Sequence, residues 1–176
     1  DTNLQLQEAI QLIKSAGILD NPQQVWADLG CGNGIFTNAL LSILPANSIV
    51  HAVDRSNTIS NNHNHSSIIF HQADFEKEML PFSALDGILM ANSLHYIANQ
   101  LSCILKLNAC LKLETARYIL VEYDSETANQ WVPYPLPFLK AKQLFARAGF
   151  SQFEKIGERK SLYRQGNMYA CCISRS

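Results

Sequence analysis

Apolar positions along this chain switch between a helical and a strand period. Leu6, Ala9, Ile10 and Ile13 recur at i, i+3, i+4 and i+7, the stripe of one helical face, and Gly17 ends that helix. "VWADL", Val25 to Leu29, reads as a short apolar strand with a glycine turn after it. Phe36, Ala39, Leu40 and Ile43 restore a helical stripe up to Pro45, and "SIVHAVD" predicts a second strand ending at Asp54. "IIFHQAD" and "LDGILMA" are the third and fourth strands. A helix is expected over about Asn99 to Leu113, and "RYILVEYD" is the fifth strand. Ala141, Leu144, Phe145 and Ala148 form one more helical stripe, closed by Gly149. "FEKIGE" and "MYACCIS" then read as two strands with no helix-length pattern between them.

The crossover after Asp54, "RSNTISNNHNHSS", is polar, Asn-rich and poor in helix formers, so its helix should be short or frayed. The expected order is strand–helix repeated five times and then a hairpin. Such alternation predicts an α/β fold: a doubly wound, mostly parallel seven-stranded sheet with an antiparallel C-terminal hairpin strand. With neither repeat nor linker, residues 1–176 read as a single domain. It comprises an N-terminal helix in 1–20, a ligand-binding half over 24–124, and a loop, helix and terminal hairpin over 125–176.

Composition narrows the setting. A chain of 176 residues, 47% hydrophobic and 16% charged, can bury one globular core. Fourteen Lys and Arg against fifteen Asp and Glu carry no electrostatic footprint for nucleic acid or an acidic membrane. The five cysteines are odd in number and lack CxxC pairing, which argues against a disulfide framework or a zinc finger. Reduced thiols, and with them a cytoplasmic location, are expected. No run approaches the ~18 apolar residues of a membrane span, and no signal-peptide pattern is visible.

The candidate chemistry begins in "ADLGCGNGIFTNAL", Ala27 to Leu40. In doubly wound sheets ligands sit beyond the carboxyl ends of the strands, where the first strand turns into its helix, and Gly30, Gly32 and Gly34 fall there. Glycine allows positive φ and a bare backbone against a ligand, while the helix start offers N–H groups to an anion. Asp54, twenty residues after Gly34, ends the second strand, where an acid can accept the hydroxyls of a ribose. A dinucleotide fingerprint would need glycine where Ile35 stands, and a P-loop would need a lysine that the turn lacks. Asp28 beside the turn would repel a pyrophosphate and attract an amine.

"DLGCGNG" resembles the D/E-x-G-x-G-x-G first motif of class I S-adenosylmethionine-dependent methyltransferases. The resemblance continues in order through Asp54, "ADF" (Ala73–Phe75) and "LDGILMANSLHYI", and the terminal hairpin matches that family's Rossmann-like sheet. It implies S-adenosyl-L-methionine as cofactor and S-adenosyl-L-homocysteine as product. It implies that Asp28 sits near the ammonium, that Gly30 and Gly32 lie under the methionine end, and that Asp54 holds the ribose. Asp74 would meet the adenine amino group and Phe75 its ring, with Arg55 and Ser56 beside it, and Asn92 would line the methionine end. Cys31 matches a small residue of the turn.

In-line methyl transfer gains ~7–11 kcal/mol from positioning. A base adds only about 10²–10⁴-fold, so the lack of an obvious base does not argue against activity. His95 and Tyr96 are the catalytic candidates. Trp131 and Tyr134 in "NQWVPYPLP" and Glu122 after the fifth strand are the acceptor-side candidates, with Arg159, Tyr163 and Arg164 in the hairpin connection behind them. His63, His65 and His71 with Asp74 sit in a polar, solvated setting, so no metal is expected. "NSLH" departs from the N/D-P-P-Y/F of amino-group nucleic-acid methylation, which points to a small-molecule acceptor. The alternatives are a cofactor-binding pseudoenzyme and a partner-dependent subunit, and a protein partner or homodimer stays open.

Overall fold

A computed structural model of the protein describes residues 4–57, 66–160 and 166–175. Its elements are α1 (Leu6–Ile13), β1 (Val25–Leu29), α2 (Ile35–Ile43), β2 (Ile49–Asp54), β3 (Ile68–Gln72) and β4 (Gly87–Ala91). They continue through a 3-10 turn (Leu94–Tyr96), α3 (Gln100–Asn108), β5 (Arg117–Tyr123), α4 (Phe138–Arg147), β6 (Gln152–Arg159) and β7 (Met168–Ser174). The seven strands form one sheet in the order β3-β2-β1-β4-β5-β7-β6. β1 to β5 pair in parallel, and β7 alone runs antiparallel, wedged between β5 and β6.

The topology locates a crevice. From β1 the chain winds outward through β2 to β3, then returns to β4 on the other side of β1. The connections leaving β1 and β4 therefore diverge, and the gap between them is where ligands of such sheets enter.

Alternation along the strands sends side chains to two cores. Ala27 and Leu29 of β1, with Ile88, Met90, Tyr118 and Leu120, pack under α3 and α4. Trp26, Leu89, Ile119 and Val121 pack under α1 and α2. Asp28 shares the second face, so the motif's first acid points under α2. All seven residues of β7 are buried, as its near-continuous apolar run requires of an inner strand. α1 reaches across to β6, where Gly157 is the contact: a side-chain carbon there would stand 2.2 Å from the Leu12 carbonyl oxygen. The ladder between β6 and β7 slips between Lys155 and Gly157, and Arg159 at the end of β6 bonds Glu8 of α1 at 2.7 Å.

The structure corrects two expectations. The connection from β3 to β4, residues 73–86, contains turns but no helix, so strand–helix pairs do not repeat five times. The crossover at 58–65, with His63 and His65, lies outside the described residues, as do Tyr163 and Arg164. α3 is also shorter than Asn99 to Leu113. The Asn99 side chain accepts from Ser102 N at 3.1 Å and so caps its start. Its end is pulled straight because Cys110 O accepts from Leu85 N at 2.9 Å and Lys112 N donates to Leu85 O at 3.0 Å. No helix among the described residues is long and apolar enough to cross a membrane.

Candidate active site

The glycine turn is fastened before any ligand enters. Gly30 N and Cys31 N both donate to Val53 O, at 2.8 and 3.0 Å, which ties the turn to the end of β2. Gly30 adopts φ +77°, and a side-chain carbon on it would lie 2.5 Å from Ser93 Cβ, so glycine is required on both counts. Gly32, at φ +52°, faces open space: a carbon added there would meet no protein atom within 4 Å. Gly34 starts α2, whose first turn has no acidic residue; Asn33 Oδ1 accepts from Ile35 N at 3.2 Å. The positive end of the helix dipole favours an anionic group there.

Beyond this turn lies a cleft of about 460 Å³ at the carboxyl ends of β1, β2, β3 and β4. Gly30, Gly32, Asp54, Arg55, Asp74, Phe75, Asn92 and Tyr96 all line it, from four separate stretches of chain. Asp54 is held by backbone on both oxygens: Oδ2 accepts from Gly32 N at 2.9 Å and Oδ1 from Ser56 N at 3.0 Å. Each oxygen keeps a second lone pair for a hydroxyl. Asp74 Oδ1 accepts from Glu76 N at 3.0 Å, which sets the plane of that carboxyl. Asn92 has φ +53°, and its buried Oδ1 has no hydrogen-bond partner among the described residues. A strained backbone and an orphaned acceptor at a cleft wall are the marks of a site built for a donor.

Asp28 stands behind the turn and does not line the cleft. It is buried, with Oδ2 accepting from the Thr37 hydroxyl at 2.7 Å and Oδ1 without a partner. Burial pushes its carboxyl from 3.8 up to about 7; the Thr37 bond opposes this and the charge of Asp54 adds to it. Burial first, and then the charges of Asp28 and Asp54, push the Cys31 thiol up and favour its protonated form.

His95 and Glu122 face each other away from the cleft. Both are buried, His95 Nδ1 lies 2.7 Å from Glu122 Oε2, and His95 N donates to Glu122 Oε1 at 3.2 Å. Burial raises the Glu122 carboxyl above its usual value, and its bonds to His95 counter that. The pair thereby locks the 3-10 turn carrying Tyr96 onto β5. Tyr134 N donates to His95 O at 2.9 Å and Gln100 Nε2 to Tyr134 O at 3.0 Å, so the Pro-rich loop is pinned beside Tyr96 by its backbone. Trp131 and Tyr134 are exposed, at 61% and 43%, and neither lines the cleft. Arg159 is engaged with Glu8, and the His71 ring lies 2.9 Å from His51 Nδ1.

Sequence reading missed several residues here. Ser93 lines the cleft and donates to Leu29 O at 2.7 Å, yet nothing local marks it except its place after Asn92. Leu4, Ile35, Phe36 and Ile97 complete an apolar wall, of which Phe36 alone had been marked, as part of a helical stripe. Lys106 is the third kind of omission: its ammonium donates to the carbonyls of Phe75, Glu76 and Glu78 in the segment after β3.

Residues 27–113 match the family model described as a methyltransferase domain. No curated protein matches the chain. Among solved structures, a Burkholderia thailandensis 1,6-didemethyltoxoflavin-N1-methyltransferase, crystallised with 1,6-didemethyltoxoflavin and S-adenosylhomocysteine, superposes with TM-score 0.71. It is 18% identical over 97% of this chain and 77% of its own. The YcgJ protein of Bacillus subtilis superposes with TM-score 0.73 at 13% identity, over 97% of this chain and 99% of its own. A Haloferax volcanii methyltransferase complex with the Trm112 activator gives TM-score 0.71 at 15% identity, over 97% and 88%. At such identities these likenesses establish the fold. Residues 27–113 belong to the methyltransferase-domain family, and the chain as a whole has the seven-stranded fold of the class I S-adenosylmethionine-dependent methyltransferases.

Proposed function

We propose that this chain transfers the methyl group of S-adenosylmethionine to a small-molecule acceptor, chiefly by positioning. One observation carries the reading: a single cleft joins bare glycine backbone and the start of α2 to the carboxylates of Asp54 and Asp74 and the orphaned Asn92 Oδ1. A zwitterion with a sulfonium, a ribose and an amino-bearing base presents the complement of that set. Asp54 accepts from the ribose hydroxyls, Asp74 from the adenine amino group, and Phe75 and Arg55 flank the base. Asn92 Oδ1 accepts from the ammonium, which Asp28 favours as a charge behind the turn. Gly30 and Gly32 lie under the methionine end, and the start of α2 takes its carboxylate.

The bound sulfonium supplies an activated methyl carbon with a neutral leaving group. What the protein adds is alignment, for which ~7–11 kcal/mol is available. Tyr96, half-exposed at the β4 side, contacts the acceptor, and its hydroxyl is the group placed to hydrogen-bond the acceptor atom. His95 and Glu122 act as positioning residues through the turn they hold. Tyr134 and Trp131 form the outer wall. Their broad apolar faces suit a planar acceptor, as in the B. thailandensis relative with its bound heterocycle. Reduced thiols favour a cytoplasmic setting.

Calorimetry with S-adenosylhomocysteine, NAD and ATP tests the reading, and tighter binding of NAD would sink it. Asp54→Ala should weaken S-adenosylhomocysteine binding by about 1–3 kcal/mol, the worth of hydrogen bonds to a charged group. The H. volcanii relative was solved with an activator, and β3 here is an edge strand with Ile69 exposed. These favour a second reading, a partner-dependent subunit. Protein that binds S-adenosylhomocysteine yet methylates nothing in a metabolite extract would support it.

A further inference from the structure

The segment after β3 supplies Asp74, Phe75 and Glu76 to the cleft; the Phe75 ring anchors it in the core, but a single turn orders its backbone. Lys77 N and Glu78 N donate to Asp74 O at 3.2 and 2.8 Å, Asp74 N donates to the Glu78 carboxylate, and the turn ends there. One such turn is too short to be stable as a helix and has no strand partner. It also gathers three carboxylates, Asp74, Glu76 and Glu78, within five residues.

Lys106 answers both problems from α3. Its Nζ donates to Phe75 O at 3.0 Å, to Glu76 O at 3.1 Å and to Glu78 O at 2.5 Å. An ammonium has three donors, and here all three are used on one turn. We propose that Lys106 is a positioning residue for the purine end of the cofactor: by fixing the 74–78 turn it aims the Asp74 carboxylate at the exocyclic amino group. It thereby sets the preference for an amino-bearing purine. This rests on the reading of the cleft given above. A carboxylate held in place meets the adenine amino group as an acceptor and a hypoxanthine carbonyl as a like partial charge. A carboxylate free to turn away distinguishes the two poorly.

Calorimetry with S-adenosylhomocysteine and S-inosylhomocysteine tests the proposal on the wild type, Lys106→Met and Lys106→Gln. The wild type should prefer the adenosyl compound by roughly tenfold to a hundredfold. Lys106→Met should bind S-adenosylhomocysteine roughly tenfold more weakly and lose most of that preference, since three charge-assisted bonds are gone. Lys106→Gln, whose amide still offers two donors, should fall between, and it decides the matter alone if the Met variant does not fold. A uniform loss that leaves the wild-type preference intact means that Lys106 is merely structural and overturns the proposal. Wild-type protein that binds neither compound overturns the reading of the cleft and this proposal with it.

Discussion

Gly30 and Asp28 stand two positions apart and are constrained in opposite ways. Gly30 is fixed by geometry, through φ +77° and the 2.5 Å approach that a side-chain carbon would make to Ser93 Cβ. Gly30→Ala should cost about 2–5 kcal/mol, the sum of a left-handed backbone and an overpacked contact. Urea unfolding should show a lower midpoint with an unchanged slope. Asp28 is fixed by electrostatics. Its carboxyl titrates at 3.8 when unfolded and near 7 when folded, so between those values only the folded state holds the proton. The contribution of Asp28 to stability is therefore greatest below that window and declines as pH rises through it. Asp28→Asn removes the titration. Stability of the variant relative to wild type should rise by about 2–3 kcal/mol between pH 5 and pH 8. Urea unfolding at both values measures this, and a constant difference would show that the carboxyl does not titrate there.

At the scale of elements, the sheet order creates the cleft, but irregular connections furnish it. The helix-free path from β3 to β4 brings Asp74 and Phe75 into the cleft, and Lys106 holds it there from α3. The His95–Glu122 pair binds the 3-10 turn to β5, and the same His95 carbonyl anchors Tyr134. α1 closes the opposite face by packing on α2 and reaching β6 at Gly157. Gly157→Ala should destabilise by about 3 kcal/mol, because the new carbon would meet the Leu12 carbonyl, a backbone atom that a rotamer change cannot move. Hydrogen exchange should then show α1 losing protection before the central strands do. Equal loss throughout the sheet would mean that α1 does not open separately.

On the scale of the whole molecule, a ligand that spans four strand ends couples to global stability. S-Adenosylhomocysteine at about a hundred times its Kd should stabilise the fold by roughly 2.7 kcal/mol, or roughly 5–10 °C in Tm. A scanning-calorimetry shift that is larger with NAD would contradict the assignment. Such a shift reports the cofactor half alone. The acceptor side, with Tyr96, Tyr134 and Trp131, is the part whose occupant would add a second, independent shift.

Much of this was legible in the chain itself, since periodicity depends only on neighbouring residues. The alternation of helical and strand stripes carried the parallel sheet and its terminal hairpin. Glycines at 30 and 32 with acids at 54 and 74 marked residues that line the cleft, because each follows or closes a strand. Burial and long-range contact are different in kind. Asp28 turned inward because β1 alternates onto the face covered by α2. His95 turned away because a buried carboxylate on β5 needed a partner. Ser93, Leu4 and Lys106 carry no local signature, and their places come from contacts with chain far along the sequence. The succession of seven strands and the class of ligand follow from local pattern and spacing alone. Which polar groups face that ligand depends on tertiary contacts, since desolvation and pairing act across strands that periodicity cannot see.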